Sequence, residues 1–236
     1  MFIRIADQIF DEYPHFILGI VIAHQVDNAS DNPEITQLLR SEEEKLRDRL
    51  ADITIVEHPH ISPWRDAYRR FGAKPKKYRS SIENLVRRTI KGRQLPHINN
   101  LVAIYNTISL RYVMPVGGED LDRIAGDVWL TTAAENEAPI RLLGEKDERP
   151  PYPDEVIYKD DIGTICRRWN WKEADRTKLM PGTQNAIIVI ERLPPVGETV
   201  IEEAINDCAM LVGQYCGGTV TTAFLNKDAP QKSLLL

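Results

Sequence analysis

The segment Ile165-Cys-Arg-Arg-Trp-Asn-Trp171 gathers two guanidinium groups, two indoles and an amide within seven consecutive residues. Arginine can fork onto a carboxylate or a phosphate, and tryptophan can stack on a base, a ribose or an aromatic side chain. The same residues also suit an aromatic strand and turn in the core, with the arginines bound to backbone carbonyls. A second stretch, Lys76-Lys-Tyr-Arg-Ser-Ser-Ile-Glu83, offers Ser80 and Ser81 as helix caps. Exposed amides at that helix start, beside Arg79, suit an anionic ligand as well. Asn99, Asn100, Asn106 and Ser109 place polar groups on an otherwise apolar helix, where asparagine is not a favoured residue. They either line a pocket or satisfy neighbouring loops.

Charge is segregated along the chain. Residues 65–93 carry Arg65, Arg69, Arg70, Lys74, Lys76, Lys77, Arg79, Arg87, Arg88, Lys91 and Arg93, opposed only by Asp66 and Glu83, in a protein of formal net charge −5. The net charge argues against wholesale nucleic-acid coating. The basic segment is either a solvated helix-loop-helix surface or a phosphate-binding one, with Arg69, Arg70, Lys76, Lys77, Arg87 and Arg88 as the candidate RNA contacts.

Several standard chemistries are excluded. There is no G-x-x-x-x-G-K-[ST] loop, G-x-G-x-x-G, H-E-x-x-H or G-x-S-x-G, so phosphoryl transfer and dinucleotide redox chemistry are not expected. His58-Pro-His60 is the one close histidine pair, and a metal there would need two further ligands that the sequence does not name. Cys166, Cys208 and Cys216 are an odd number without a C-x-x-C pair, which suggests neither a disulfide framework nor a zinc site. No metal or cofactor is expected.

The elements that must position these residues follow from periodicity. After a short helix-like opening, residues 16–23 are β-branched and short enough for a buried strand. They are too short for a bilayer span and lack a basic leader, so no signal peptide, anchor or membrane partner is expected, and cytoplasm is the expected location. Beyond a polar loop at residues 27–33, Ile35, Leu38, Leu39, Leu46 and Leu50 mark an amphipathic surface helix. Pro63, with Trp64, Tyr68 and Phe71 before Gly72, predicts a helix with aromatics toward the core. Ile82, Leu85, Val86 and Ile90 predict a second, ending near Gly92, and the run from Ile98 to Leu110 a third. Short β-like runs then follow between glycines and are expected to form one sheet system. Residues 186–191 are the strongest strand, ended by Pro194-Pro195, and residues 199–215 an amphipathic helix stopped by Gly217-Gly218. The tail after Lys227 carries no pattern. At 236 residues, 42% apolar and 28% charged, the chain is expected to form one mixed α and β domain.

Taken in order, Arg79-Ser80-Ser81-Ile82-Glu83, Leu95-Pro-x-Ile-Asn-x-Leu-Val102, Tyr105-Asn106-x-x-Ser109-Leu110, Pro115-x-Gly117-x-x-Asp120-Leu-Asp122 and Arg167-Arg-Trp-Asn-Trp171 resemble a known family. They are similar to free-standing relatives of the B3/B4 editing domain of the phenylalanyl-tRNA synthetase β subunit, over roughly residues 65–191. The resemblance implies an α+β fold with helices on a mixed sheet or sandwich of unusual topology. Residues 61–195 would be its core, residues 1–60 an N-terminal strand and helix of the same domain, and residues 196–236 a C-terminal helix and tail. In the synthetase this domain hydrolyses tyrosine wrongly esterified to the phenylalanine tRNA. The resemblance therefore implies a hydrolase acting in trans on a mischarged aminoacyl-tRNA, without amino-acid activation. An aminoacyl ester is already labile, so a pocket that positions water and stabilises the oxyanion supplies most of the acceleration needed.

Under that reading Asn106, Ser109, Pro115, Gly117, Asp120, Asn170 and Thr183 contact the substrate, and Arg79 faces an anionic part of it. Arg167 and Arg168 take the terminal phosphates or the carbonyl, and Trp169 or Trp171 stacks on the terminal adenine or the side chain. Glu155 steers water or binds an α-ammonium group, which makes Glu155 and Arg168 the candidate catalytic residues. Two departures bear on substrate. The family's P-x-H-x-F-D is Pro115-Val-Gly-Gly-Glu-Asp120 here, with Gly117 in place of the pocket histidine. The family's T-x-N-x-x-x-E matches Thr183-Gln-Asn185 and then reaches Val189, while Glu191 lies two residues on, on the same strand face. Either Glu191 substitutes for that glutamate or, on the simpler reading, the substrate is other than tyrosine. The competing class is a non-catalytic module that binds tRNA, another RNA or an amino-acid-like ligand, and a third is a structural subunit with a vestigial pocket. A DNA partner is not expected, and the oligomeric state stays open.

Overall fold

The computed structural model describes residues 1–30 and 32–235. Asp31, inside the loop expected at residues 27–33, and Leu236, at the end of the tail, lie outside the described residues. The fold is α+β, with two sheets face to face and helices on the outer side of one.

The first sheet runs in the order β12-β1-β4-β7-β8-β9, with β1 Phe2–Ile5, β4 Val128–Thr132, β7 Val156–Lys159, β8 Thr164–Arg167, β9 Lys172–Glu173 and β12 Gln231–Ser233. All its pairs are antiparallel except β1 with β4. The second sheet is antiparallel in the order β11-β2-β10-β3, from β2 Ile17–His24, β3 Val116–Asp120, β10 Ala186–Arg192 and β11 Thr219–Leu225. A small hairpin, β5 Ile140–Arg141 with β6 Glu148–Arg149, stands apart.

The central strands β2 and β10 are buried on both faces, so their sequences read as continuous apolar runs rather than alternating ones. Gly19 explains how closely a helix approaches that sheet: a Cβ there would lie 2.1 Å from Ile205 Cδ1. Ile205 belongs to α6, Glu198–Cys216, and Ile190 is paired with Gly19 and therefore shares its face. Ile187, Val189 and Glu191 consequently point the other way, toward the first sheet. α6 ends at Gly217, and Gly218 has φ +76° with its Cα packed so closely on His24 that a Cβ would lie 2.2 Å from the carbonyl oxygen. Glycine is required there.

The helices expected at residues 62–112 form as α3 Ser62–Arg70, α4 Ser81–Ile90 and α5 Asn100–Tyr112. Ser80 caps α4 by accepting from Glu83 N at 3.3 Å, and Asn99 caps α5 by accepting from Val102 N at 3.0 Å. Trp64 and Tyr68 of α3 are buried, as the aromatic spacing predicted. α2, Pro33–Arg49, packs on α5 behind the four-stranded sheet.

Three expectations change. The opening is a strand before it is a helix, since β1 precedes α1, Asp7–Glu12. The strands after Met114 belong to three sheets rather than one, because β3 pairs with β10 and β10 with β2, and the β5-β6 hairpin pairs only with itself. The tail is not patternless: β12 pairs with β1, and Leu234 is fully buried. Its signal is weak because a three-residue edge strand with two exposed side chains shows no alternation.

Candidate functional site

The facing sheets line a half-open cavity of about 210 Å³. From the four-stranded sheet, β3 contributes Gly117, Gly118 and Glu119, and β10 contributes Ile187, Val189 and Glu191. From the other sheet come Tyr158, Cys166 and Glu173, and the turn after β8 adds Trp169, Asn170 and Trp171. Ser81, at the first turn of α4, closes one side, and its Oγ is buried without a hydrogen-bond partner.

Three carboxyl groups line a wall that is otherwise mostly apolar. Glu191 is 2% exposed. Its Oε1 accepts from the Tyr158 hydroxyl at 2.6 Å, and its Oε2 accepts from the Asn170 amide, whose own oxygen accepts from the Tyr68 hydroxyl at 2.9 Å. Burial pushes the Glu191 carboxyl up to about 7, against the pull of those donors. The Trp169 indole N–H stands close enough to Glu191 to help hold its charge, yet closes no hydrogen bond of normal geometry. Glu173 is likewise raised to about 7 by burial, opposed by a hydrogen bond from the Gly118 backbone N–H. Glu119 is raised too, by burial and then by the neighbouring Glu173. Among the described residues no lysine or arginine forms an ion pair with any of the three. Lys172 at the cavity wall is spent on Glu145 at 2.7 Å, and Arg176 on Asp160.

The turn that presents Asn170 and Trp171 is built by strain and pinned by charge. Arg168 and Trp169 both adopt left-handed backbone, with φ of 48° and 64°, at a cost of about 1–3 kcal/mol each. Glu155 compensates. Its carboxylate accepts from Arg167 Nε at 2.9 Å, Arg167 Nη2 at 2.8 Å and the Arg168 backbone N–H at 3.0 Å. Trp169 N donates to Val156 O at 2.6 Å, and its indole has no exposed surface, ringed edge-on by Tyr13, Phe16 and Trp64. The Arg168 guanidinium, 3% exposed at the side chain, lies 3.8 Å over the Tyr78 ring and 4.5 Å over that of Trp171. Trp171 in turn packs edge-on against Tyr78.

Of the residues singled out in the sequence, Gly117, Trp169, Asn170 and Trp171 reach the cavity wall. Glu155 and Arg167 stand outside it, buried in each other's grip, and Arg168 lies sandwiched beside it. Asp120 and Thr183 hold each other at 2.6 Å and cap the turn after β3. Ser109 Oγ donates to Met114 O at 2.6 Å, and Pro115 O accepts from Glu191 N at 3.0 Å. Asn106 is 8% exposed on α5, away from the cavity lining. Asn99 and Asn100 satisfy loop carbonyls of Leu179 and Ser30.

The basic segment is partly neutralised from within. Fully buried Glu83 draws in Arg65 at 2.8 Å, Arg87 at 2.8 Å and Arg79 at 3.7 Å. Arg69 pairs with Asp66, and Arg70 with Glu12 at 2.9 Å. Arg88 Nε donates to Gln94 O at 3.0 Å. Lys74, Lys76 and Lys77 remain exposed on the loop that leads to Ser81.

Glu119 and Glu173 were not marked in the sequence, although strand parity marks them: Glu119 shares a face with Gly117, and Glu173 with Trp171. Glu191 was marked, and it lies on the cavity face with Val189.

No curated protein matches the chain. Among solved structures, an N-terminal fragment of the phenylalanyl-tRNA synthetase β subunit from Pyrococcus horikoshii is similar, with 12% identity, a TM-score of 0.47, and coverage of 92% of this chain and 49% of that one. The chain thus spans about half the length of that fragment. The B3/4 domain family matches residues 63–217, a stretch that holds Ser81, Glu119, Asn170, Glu173 and Glu191 together, and the chain belongs to that family.

Proposed function

We propose that the chain is a trans-acting aminoacyl-ester hydrolase of the editing type, which takes the amino-acid moiety of a mischarged tRNA into the cavity between the sheets. The observation that carries this reading is the small apolar cavity bearing carboxyl groups without cationic partners. At about 210 Å³ it is below the roughly 300–1,000 Å³ of drug-sized pockets, so it suits an amino-acid side chain rather than a whole nucleotide.

Glu191 is the general base in this proposal, in place of Glu155, whose charge is already committed to Arg167. A carboxyl raised to about 7 is matched to proton transfer near neutral pH. Water attacks the ester carbonyl carbon and its proton passes to Glu191. The tetrahedral intermediate then collapses, the C–O bond to the ribose breaks, and the proton goes to the departing ribose oxygen. The Ser81 hydroxyl, buried and without a partner, is the donor for the oxyanion. Lys76 and Lys77, a few residues before Ser81, meet phosphates of the acceptor end.

A binding module without turnover is the second reading, favoured by the fact that both Glu191 oxygens already accept hydrogen bonds. The two separate in a deacylation panel at substoichiometric protein, with correctly and incorrectly charged tRNAs that include tyrosine and non-protein aromatic amino acids on the phenylalanine tRNA. Multiple turnovers lost in a folded Glu191→Gln variant are the expected result. No release above the spontaneous rate from any member would overturn the hydrolase reading for those substrates.

A further inference from the structure

Glu191 has its donors, whereas the other two carboxyl groups of the cavity do not form a satisfied set. Glu119 Oε2 is buried and meets no hydrogen-bond partner, and the neighbouring Thr177 hydroxyl closes no bond of normal geometry either. Glu173 reaches the same place from the opposite sheet. Gly117, on the Glu119 face of β3, is so close to Glu173 that a Cβ there would lie 3.1 Å from Oε1. A side chain larger than glycine would press on that carboxyl, and the bare backbone leaves the space beside it open.

The charges around the pair are all identifiable. Tyr105 of α5 and Cys166 of β8 face it, and both are held neutral, their ionisation pushed up by burial and by these glutamates. Glu191 of β10 and Tyr158 of β7 share the cavity. Lys172 of β9 is bound to Glu145, and Arg176 to Asp160. Two acids therefore line one cavity without an ion pair to either, Arg176 acting on Glu119 only from its bridge to Asp160, and carboxyl groups so placed favour an arriving cation.

We propose that Glu119 and Glu173 form a subsite for an organic ammonium group, which selects ligands with a free amine over those with a blocked one. The subsite rests on the reading of the cavity as an amino-acid site and adds to it which end of the amino acid is recognised. The α-ammonium group sits between the carboxylates from β3 and β9, and the apolar body lies toward Trp171 and Val189. An N-acylated amino acid, which has no positive charge, is excluded by the same two groups. Because the Glu173 carboxyl is raised to about 7, ammonium binding releases more protons at pH 6 than at pH 8. Affinity accordingly climbs between these values and then levels off.

The test is isothermal titration of the purified full chain with amides of phenylalanine, tyrosine, leucine and methionine, each beside its N-acetyl form, at pH 6 and pH 8 in two buffers of different ionisation enthalpy. The expected result is binding of at least one free-amine amide, at least about tenfold tighter than its N-acetyl form, with net proton release at pH 6. Folded Glu119→Gln and Glu173→Gln variants should each lose at least about tenfold in affinity. Equal affinity for free and acetylated amides, absence of binding by every amide, or binding at pH 6 without proton release would overturn the subsite. The proton measurement uses the unmodified protein and stands even if a variant fails to fold. A positive titration with a negative deacylation panel would retain the subsite and reject hydrolysis. Turnover of aminoacyl and N-acetyl-aminoacyl tRNA at equal rates would retain hydrolysis and reject the subsite.

Discussion

Two sets of glutamates in this molecule differ in what surrounds them. Glu83 and Glu155 are enclosed by arginines, with three guanidinium groups about the first and a two-pronged pair on the second. Glu119, Glu173 and Glu191 line the cavity without one. A buried charge needs a partner or gives up its ionisation. The first set meets that demand within the fold, while the carboxyls of the second are pushed up from the ordinary range. Carboxyl groups of the first kind hold architecture, and those of the second kind are left with capacity for a ligand.

The largest test of this contrast removes a charge from the satisfied set. Glu155→Gln leaves Arg167 buried and unpaired and releases the left-handed turn, so urea denaturation at pH 7 should show a loss of about 3–5 kcal/mol. Glu83→Gln should behave alike. A loss under about 1 kcal/mol would mean that the arginines are not what holds that region.

The second test asks the opposite of the cavity. Glu191 binds its proton more tightly folded, near 7, than at the ordinary value of 4.5. The stability this gives is fully present below about pH 4.5 and is lost as pH rises toward about 7, on the order of 3 kcal/mol. Glu191→Gln, which resembles the protonated acid, should flatten that slope and raise the thermal midpoint at pH 8. A variant less stable than the parent at pH 8 would place Glu191 with the structural set.

Gly117→Ala sharpens the comparison further, since its backbone lies outside the left-handed region and the new methyl meets only Glu173. Stability should change by less than about 1 kcal/mol, while affinity for a free-amine amide falls measurably by titration. The smallest effect belongs to the surface. Lys76→Ala and Lys77→Ala should leave stability within about 0.5 kcal/mol and each lower the salt slope of tRNA binding by about 1.

How much of this was legible in sequence depends on the range over which each feature is encoded. The α4 and α5 caps, the α3 aromatics and β10 are local, written in spacing and hydroxyl or amide placement within one turn. Glu191 was legible because alternation along a single strand fixes its face. The pairing of Glu119 with Glu173 was not, because it depends on β3 and β9 standing in opposed sheets, and β9 is only two residues long. The composition of residues 65–93 announced positive charge but could not reveal that Glu83 lies at its centre, fully buried. For the same reason the segment around Arg167 and Arg168 allows both a ligand-binding and a core reading, since its local sequence does not encode the pairing of Arg167 with Glu155, twelve residues earlier.

The pairing of β1 with β12 also sets a timetable for synthesis. Ile3 of β1 is part of the cavity wall, and that strand lies between β4 and β12, so residues 2–5 wait beside an open edge until residues 231–233 have left the ribosome. Until then that strand edge is open to pairing with a neighbouring chain.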